Sequence, residues 1–338
     1  MIFTPVTLGG LRLPSRIVRS ATELFCSLPD GHTNPFEAEL YRELSDQPLG
    51  LVISAHTCVS PEGRSNHYQN AVWDDEFIPD AKAISDAIGK IPHIMQIGHG
   101  GMKAEGCNGG LPVYTPDNMT HEQIRETVKQ FGRAAVRAKE AGFDGVMLHA
   151  AHSYLLSQFF YPEYNHRTDA YGGSAENRFR ITRECIEEVK RAAGEDFPVF
   201  MKINGTDRNM TPEYEEDLVI ALQIAQESGL AACEISGWNA NPGGIPEKPY
   251  FIDVVRRLSQ KVSLPLIEVG GIRSAKDVLD VLEAGAVAAS VSRPLLYDPT
   301  FPSRLRDEPD YRSGCRGCGF CFRPLEETKM IRCAVRGK

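Results

Sequence analysis

The sequence has no apolar run approaching the roughly 20 residues that span a bilayer. Its start, Met-Ile-Phe-Thr-Pro-Val-Thr-Leu-Gly-Gly, lacks the basic and apolar stretches of a secretory signal. These absences predict a cytoplasmic protein without a membrane partner. Clusters of lysine and arginine are also missing, and the formal net charge of −8 argues against nucleic acid as a main partner. A small-molecule substrate is therefore expected.

The cysteines do not form an obvious disulfide framework, because their number, nine, is odd. Five of them stand alone along the chain, and we expect these to be reduced and mostly packed thiols; they are Cys26, Cys58, Cys107, Cys185 and Cys233. The other four lie close together near the end of the chain and form a separate motif.

A glycine-rich dinucleotide turn, Gly-x-Gly-x-x-Gly, is absent from the start of every candidate helix, which argues against a doubly wound open sheet. Apolar, β-branched runs instead alternate with amphipathic segments, which is typical of βα units on a parallel sheet. Eight runs are predicted as strands: Arg16–Ala21, Gly50–Ser54, His93–Ile97, Gly145–His149, Val199–Ile203, Ala232–Ser236, Leu264–Val269 and Val287–Val291.

The segments between these strands contain helix signals. Helical patterns cover Thr120–Ala141 and Ser174–Ala193, and the stretches beginning at Thr120 and Ser274 resemble capping boxes. Eight strand and helix alternations predict an α/β fold, a TIM (β/α)8 barrel, over residues 1–310. Residues 311–338 are predicted to form a short cysteine-rich tail.

The fourth predicted strand ends in two histidines and a tyrosine, His149, His152 and Tyr154. Barrel enzymes place their chemistry at the carboxyl ends of strands. Two imidazoles can donate to a carbonyl oxygen that gains negative charge, and a phenol of pKa about 10 can give a proton. The alternatives are a metal site using two histidines at i and i+3, for which no third ligand is evident, and histidines that are simply packed in the core.

The seventh and eighth predicted strands end in residues suited to an anion. Gly270 and Gly271 allow backbone N–H groups to approach closely, and Ser292 is followed by Arg293. Barrels often bind a phosphate between these two strands. Each feature alone could be a glycine turn or a surface arginine, but their joint placement favours a phosphate site.

The run from His149 to Arg180, with its Asp-x-Tyr-Gly-Gly-Ser-x-Glu-Asn-Arg ending, resembles the signature of the Old Yellow Enzyme family. Members of that family are FMN-containing ene reductases built on a TIM barrel. The resemblance implies FMN, a reductant that is NAD(P)H or a reduced protein, and a homo-oligomer. It also implies that Tyr154 is the proton donor to the substrate.

The resemblance extends to residues at other strand ends. It implies that Gln96 binds the pyrimidine edge of the flavin and that Lys202, where most relatives have arginine, faces the flavin N1 region. It places Glu23 near the flavin C4=O and N5, and His56 stands where many relatives have alanine. The remaining flavin-binding candidates lie at the end of the first predicted strand and directly after it: Ser20, Ala21 and Thr22.

The four clustered cysteines are Cys315, Cys318, Cys321 and Cys333. Three thiols at two-residue gaps with a remote fourth are typical of iron–sulfur ligation, whereas structural zinc more often uses two separate pairs. The segment resembles the [4Fe–4S] segment of the trimethylamine dehydrogenase and 2,4-dienoyl-CoA reductase branch. Those relatives continue into a second domain that handles another nucleotide, so a cluster in this chain would either exchange electrons with a separate redox partner protein, or be structural, or be a remnant.

These features predict an FMN-dependent oxidoreductase that passes hydride to an activated C=C bond of an enone or enoyl substrate. One alternative is an oxidative dehydrogenase or demethylase of the trimethylamine dehydrogenase type, with Trp238 and Tyr68 lining a cage for a cation. Another is a flavin-free lyase that forms a Schiff base on Lys202. A non-catalytic electron carrier is the third.

Overall fold

The computed structural model describes residues 1–238, 244–322, 333 and 335. The predicted TIM barrel is confirmed, and each of the eight predicted strands is present with small shifts at its ends. In chain order the strands are β1 (Val6–Leu8), β2 (Leu11–Leu13), β3 (Ile17–Arg19), β4 (Leu51–Ile53), β5 (Thr57–Cys58), β6 (His93–Gly98), β7 (Gly145–Ala150), β8 (Val199–Asn204), β9 (Ala232–Ser236), β10 (Leu266–Val269) and β11 (Ala288–Val291).

The barrel consists of β3, β4 and β6 to β11, all parallel, and it closes where β11 pairs with β3. The helices are α1 (Pro35–Arg42), α2 (Ile78–Ile88), α3 (His121–Glu140), α4 (Leu155–Phe160), α5 (Ala175–Ala193), α6 (Pro212–Glu227), α7 (Ile252–Leu258), α8 (Ala275–Glu283), α9 (Arg293–Tyr297) and α10 (Phe301–Asp307). None of the helices in the described ranges is both long and apolar enough to cross a membrane.

Local sequence signals explain where the long helices begin. Thr120 and Gln123 form the complete capping box that was predicted for α3. At α8 the predicted box is half formed: Ser274 accepts from the backbone N–H of Asp277, but the Asp277 carboxylate accepts from the N–H of Arg273 instead of that of Ser274. The shorter aspartate therefore fixes the turn that precedes the helix.

The hairpin of β1 and β2 was not predicted, and it lies at the amino-terminal end of the barrel. Gly9 and Gly10 turn the chain with positive φ angles of 55° and 86°, as a two-residue hairpin requires. Leu8 and Leu13 pack in one buried cluster with inward residues of the barrel strands, such as Val18. This apolar layer leaves the opposite, carboxyl-terminal end of the barrel for polar side chains.

Candidate active site at the carboxyl ends of the strands

A cavity of about 290 Å³ opens at the carboxyl ends of the barrel strands, close to the lower limit of common ligand sites. Every residue that the sequence predicted for catalysis or flavin binding contributes to its wall. These residues are Ser20, Ala21, Thr22, Glu23, His56, Gln96, His149, His152, Tyr154, Lys202, Gly270, Gly271, Ser292 and Arg293.

One end of this cavity, which we call the substrate end, is built by the loop after β7. The ring centroids of His149 and His152 are 5.1 Å apart, and that of Tyr154 lies 4.6 Å from that of His149. His152 adopts a left-handed φ of 57°, which is costly for a residue with a side chain. Its backbone N–H donates to Asn204 Oδ1 (3.1 Å), which helps to hold this conformation.

Burial keeps both histidines of this loop neutral. Desolvation lowers the pKa of His149 and that of His152 well below the usual value, and the positive charges of Lys202 and Lys103 add to the effect. His149 Nδ1 has no hydrogen-bond partner among the described residues, and His152 Nε2 lies 2.9 Å from the hydroxyl of Ser236. Neutral imidazoles are N–H donors that carry no charge of their own.

His56 adds a third imidazole to the substrate end, with its ring centroid 4.8 Å from that of His149. The backbone N–H of Ser65 donates to Gln69 Oε1 (2.8 Å), so the amide of Gln69 must present its NH2 group to His56 Nδ1 (3.1 Å). His56 therefore accepts at Nδ1 and carries its proton on Nε2. Burial lowers the pKa of His56 to about 3, which keeps this tautomer neutral.

Two weak acids at the substrate end stay protonated at neutral pH. Burial raises the pKa of Tyr154 to about 12. Burial also raises the pKa of Glu23 to about 8, although the N–H of Phe25 donates to Glu23 Oε1 (3.2 Å). Glu23 Oε2 has no partner in the described part of the chain. The phenol and the carboxyl group are therefore both proton donors at pH 7.

The floor of the cavity contains a buried ion pair. Lys202 Nζ lies 2.7 Å from Glu234 Oε1, and it donates to Ser20 Oγ (3.0 Å), which in turn donates to Glu234 Oε1 (2.8 Å). Ser290 Oγ donates to Glu234 Oε2 (2.9 Å). Lys202 Nζ is held by Glu234 and Ser20, whereas a Schiff base requires an amine that is free to attack a carbonyl carbon. This geometry disfavours the lyase alternative.

Gln96 lies on the same floor and is buried. Its backbone N–H donates to Ser54 Oγ (3.3 Å), and its side-chain Nε2 lies 3.4 Å from Met147 Sδ. A thioether is a weak acceptor, so the amide of Gln96 is held loosely. It is thus suited to exchange this contact for a ligand with stronger hydrogen-bonding groups.

The opposite end of the cavity, which we call the phosphate end, lies between the ends of β10 and β11. Gly270 and Gly271 have φ angles of 124° and 80°, which side chains other than that of glycine rarely allow. A Cβ atom on Gly271 would lie 2.9 Å from Pro246 Cγ. Ser292 Oγ lies 2.7 Å from Thr22 Oγ1, and Arg293 begins α9 beside the same wall.

Arg273 brings a second guanidinium group to the phosphate end. Its Nη2 donates to the carbonyl oxygen of Ser313 (2.6 Å), whose N–H donates back to the carbonyl oxygen of Arg273 (2.8 Å). Arg273 Nε has no partner among the described residues. The same exchange ties the beginning of the cysteine tail to the barrel, and Cys315 and Gly317 contribute to the cavity wall.

The predicted cysteine ligands are not assembled into a metal site. Cys321 is buried, Cys315 and Cys333 are half-buried, and Cys318 is exposed. Within residues 1–238, 244–322, 333 and 335, no group of three or more Cys, His, Asp or Glu side chains is arranged to hold a metal ion. The structure therefore does not support the [4Fe–4S] prediction, and it does not support a metal at the histidine pair.

Among the charged residues described at the site, the sequence analysis missed Glu234, Arg273 and Lys103. Glu234 had a usable signal, because a glutamate in the apolar strand Ala232–Ser236 requires a buried cation as partner. Arg273 and Lys103 are in polar segments, where a cation usually faces solvent. Nothing in their local sequence distinguishes them.

Residues 1–310 match the NADH:flavin oxidoreductase / NADH oxidase family. An NADPH dehydrogenase of Bacillus licheniformis is 34% identical over 316 residues, which are 89% of this chain and 92% of that protein.

Two solved structures illustrate the likeness in fold. The Old Yellow Enzyme homologue from Zymomonas mobilis superposes with a TM-score of 0.81 at 22% identity, over 98% of this chain and 97% of the other. A 2-naphthoyl-CoA reductase in complex with 2-naphthoyl-CoA gives 0.83 at 24% identity, over 94% of this chain. This chain spans about half of that longer protein, of which 54% is covered.

Proposed function

Because the chain belongs to the NADH:flavin oxidoreductase / NADH oxidase family, the Old Yellow Enzyme family of FMN oxidoreductases, we propose that it reduces an activated C=C bond. The proposal rests on the placement of two neutral imidazoles and a protonated phenol on one cavity wall, across the barrel from the glycine turn after β10. The substrate would be a small enone or enoyl compound.

The cavity wall fits FMN. Gly270 and Gly271 form a turn at positive φ whose backbone lines the cavity without side chains, and Arg293 and Arg273 supply positive charge for a phosphate. Gln96 and Lys202 lie on the floor between the two ends, where an amide and a cation suit the polar edge of a flavin ring. Bound FMN would supply the hydride that reduces the alkene.

His149 and His152 would hold the carbonyl oxygen of the substrate. Hydride addition to the β-carbon moves an electron pair toward that oxygen, and two N–H donors stabilise the resulting negative charge. Because both imidazoles are neutral before substrate binds, they gain their strongest interaction as the charge develops. Stabilisation that grows toward the transition state raises the rate instead of only tightening binding.

Tyr154 would deliver the proton to the α-carbon, which completes the reduction of C=C to CH–CH. Its raised pKa of about 12 keeps the phenol protonated at neutral pH. The phenolate left after this step would recover a proton from water. The name of the similar Bacillus licheniformis protein, NADPH dehydrogenase, makes NADPH the first reductant to test.

The oxidative alternative has less support in the described residues. Trp238 packs against Tyr161 and Tyr164, with ring centroids 5.0 Å and 6.0 Å away, and neither Trp238 nor Tyr68 is among the described residues of the cavity wall. The aromatic cage for a cation is therefore not formed there. A reductive reaction agrees better with a wall rich in neutral donors.

The experiment that tests the proposal is an anaerobic absorbance measurement on the FMN-loaded protein. NADPH is added first, followed by 2-cyclohexenone. We expect NADPH to bleach the visible flavin bands and the enone to restore them. Tyr154→Phe is the matched variant: NADPH should still bleach it, while its reoxidation by enone slows by about 100-fold or more. Failure of the enone to restore the bands of the unmodified protein would contradict the proposal.

A [4Fe–4S] cluster in the tail is a separate hypothesis, supported by the spacing of Cys315, Cys318, Cys321 and Cys333 alone. Iron and acid-labile sulfide are measured on protein purified without oxygen. Iron and sulfide in equal amounts would establish an iron–sulfur cluster. The absence of iron or of sulfide would contradict the hypothesis. Loss of the metal from a variant with all four cysteines replaced by serine is the control.

A further inference from the structure

Lys103 lies in a short 3₁₀ turn, Gly101–Ala104, that follows β6. The turn is held against the loop after β7 by Gln158, a fully buried side chain. Gln158 Nε2 donates to the carbonyl oxygens of Gly100 (3.1 Å) and Ser153 (2.6 Å). This bracing fixes the position of Lys103 relative to the loop that carries the reacting groups.

The ammonium group of Lys103 sits beside those groups. Its Nζ donates to the carbonyl oxygen of His152 (2.6 Å) and lies 4.9 Å from the centroid of the Tyr154 ring. An ammonium has three N–H bonds, so two remain for another acceptor. Lys103 contributes to the cavity wall and is exposed to solvent, which allows a ligand in the cavity to reach it.

The charge of Lys103 is not paired with a carboxylate in the part of the chain that the structure describes, whereas Lys202 on the cavity floor is paired with Glu234. The acidic side chain in the described wall is that of Glu23, and its raised pKa of about 8 leaves it uncharged at neutral pH. The substrate end therefore carries a net positive charge.

We propose that Lys103 is a substrate-recognition residue, and that the preferred substrate is an activated alkene with a negatively charged group such as a carboxylate. The carbonyl oxygen would lie on His149 and His152, and the anionic group would bind the two free N–H bonds of Lys103. This inference rests on the proposed function, because it names the substrate class of the same site. A neutral enone would fill the cavity but leave the ammonium without its partner.

The test compares two ligands of the same shape and different charge: the methyl half-ester of fumaric acid, an anion, and the half-amide of that ester, which is neutral. Oxidised FMN-loaded protein is titrated with each ligand without a reductant, and flavin absorbance reports the dissociation constant. We expect the anion to bind about tenfold more tightly than the amide at low salt, and this advantage to fall as salt is added.

Lys103→Met should remove most of this preference, since it keeps the length of the side chain without its charge, and Lys103→Arg should keep it. Lys90→Met is the matched control, because Lys90 is exposed before β6 at the opposite end of the barrel. Equal affinity for the two ligands, or an unchanged ratio in Lys103→Met, would overturn the inference.

The phosphates of the coenzyme are the other source of negative charge that could reach Lys103. The rate of flavin reduction at varied NADPH concentration separates the two sources. We expect Lys103→Met to change the half-saturating NADPH concentration by less than the affinity for the half-ester. A larger effect on NADPH than on the half-ester would assign the charge to the coenzyme and overturn the inference.

Failure of this inference differs from failure of the proposed function. Protein that binds FMN, is bleached by NADPH and is restored by an enone, but does not distinguish acid from amide, would refute only the role of Lys103. Protein that cannot be restored by any of these alkenes would refute the proposed function as well.

Discussion

The two ends of the cavity offer different chemistry to a ligand. At the phosphate end, two glycines expose backbone N–H groups and two arginines carry permanent charge. At the substrate end, the imidazoles are neutral, the phenol and the carboxyl group are protonated, and the ammonium of Lys103 has no carboxylate partner among the described residues. FMN binding at the phosphate end should not depend on pH near neutrality. The reaction at the substrate end should depend on pH, because it depends on which side chains are protonated.

This difference implies that the two ends can be altered separately. Residues without shared partners usually contribute additively, and Gly270 and Gly271 share no described hydrogen bond with the loop after β7. Variants at the phosphate end should therefore change flavin affinity, and variants at the substrate end should change turnover. Each prediction below tests this separation.

The largest effect is expected for His149→Ala. Loss of a donor to the developing negative charge should lower kcat/KM for an enone by about 100-fold to 1,000-fold, while the dissociation constant of FMN stays nearly constant. Stopped-flow reoxidation of the reduced protein and FMN fluorescence titration measure the two quantities. His149→Asn, which retains a donor, should recover part of the rate. A loss of FMN affinity as large as the loss of kcat/KM, in His149→Ala and in His149→Asn, would contradict the separation of the two ends.

The next effect is expected for Arg293→Met. Removal of a charge-assisted contact to phosphate should weaken FMN by about 10-fold to 100-fold. Riboflavin, which has no phosphate, serves as the matched ligand, and its affinity should not change. Fluorescence titration of both ligands measures this. A similar loss for riboflavin would show that Arg293 acts by packing.

A smaller effect in the same direction is expected for Arg273→Met, because this guanidinium also hydrogen-bonds to Ser313. FMN should weaken by about threefold to tenfold relative to riboflavin. Unchanged FMN affinity would show that Arg273 only anchors the tail. In that case the variant should still differ from the unmodified protein in the sensitivity of its tail to proteolysis.

The smallest effect is a pH dependence at the substrate end. Glu23 has a pKa raised to about 8, so it is neutral below that pH and becomes a carboxylate as the pH rises through it. The new charge should repel an anionic ligand, and affinity for the methyl half-ester of fumaric acid should fall by about threefold to fivefold between pH 7 and 9.

Glu23→Gln is the control for this pH dependence, because an amide cannot ionise. The variant should show a flat profile over the same range. FMN affinity should be flat in both proteins, since the arginines stay charged. A fall of equal size in the variant would assign the titration to another group.

The barrel and most of the cavity wall could be predicted from the sequence because their signals are local. Apolar runs of strand length and the Thr120 capping box need only neighbouring residues, and strand ends fall at one face of any parallel barrel. Gly270 and Gly271 are compatible with positive φ angles because they lack a side chain, and this can be read from the sequence. These features depend on the chain itself and not on which distant segments meet.

The rest could not be predicted because it depends on contacts between distant segments. Glu234, the partner of Lys202, is on the next strand and stands 32 residues later in the chain. The tautomer of His56 is fixed by Gln69 and Ser65. Burial shifts the pKa of Glu23, which no local pattern reveals. The cysteine spacing predicted a cluster that the described residues do not assemble.

The most direct test of the account is a titration of the oxidised, FMN-loaded protein with a simple phenol. We expect a long-wavelength charge-transfer band, because a phenolate held by His149 and His152 would stack on a flavin anchored at the phosphate end. The band should be lost in His149→Ala although FMN remains bound. Phenol binding without the band, or a band unchanged in His149→Ala, would contradict the claim that the two ends serve one flavin and one substrate.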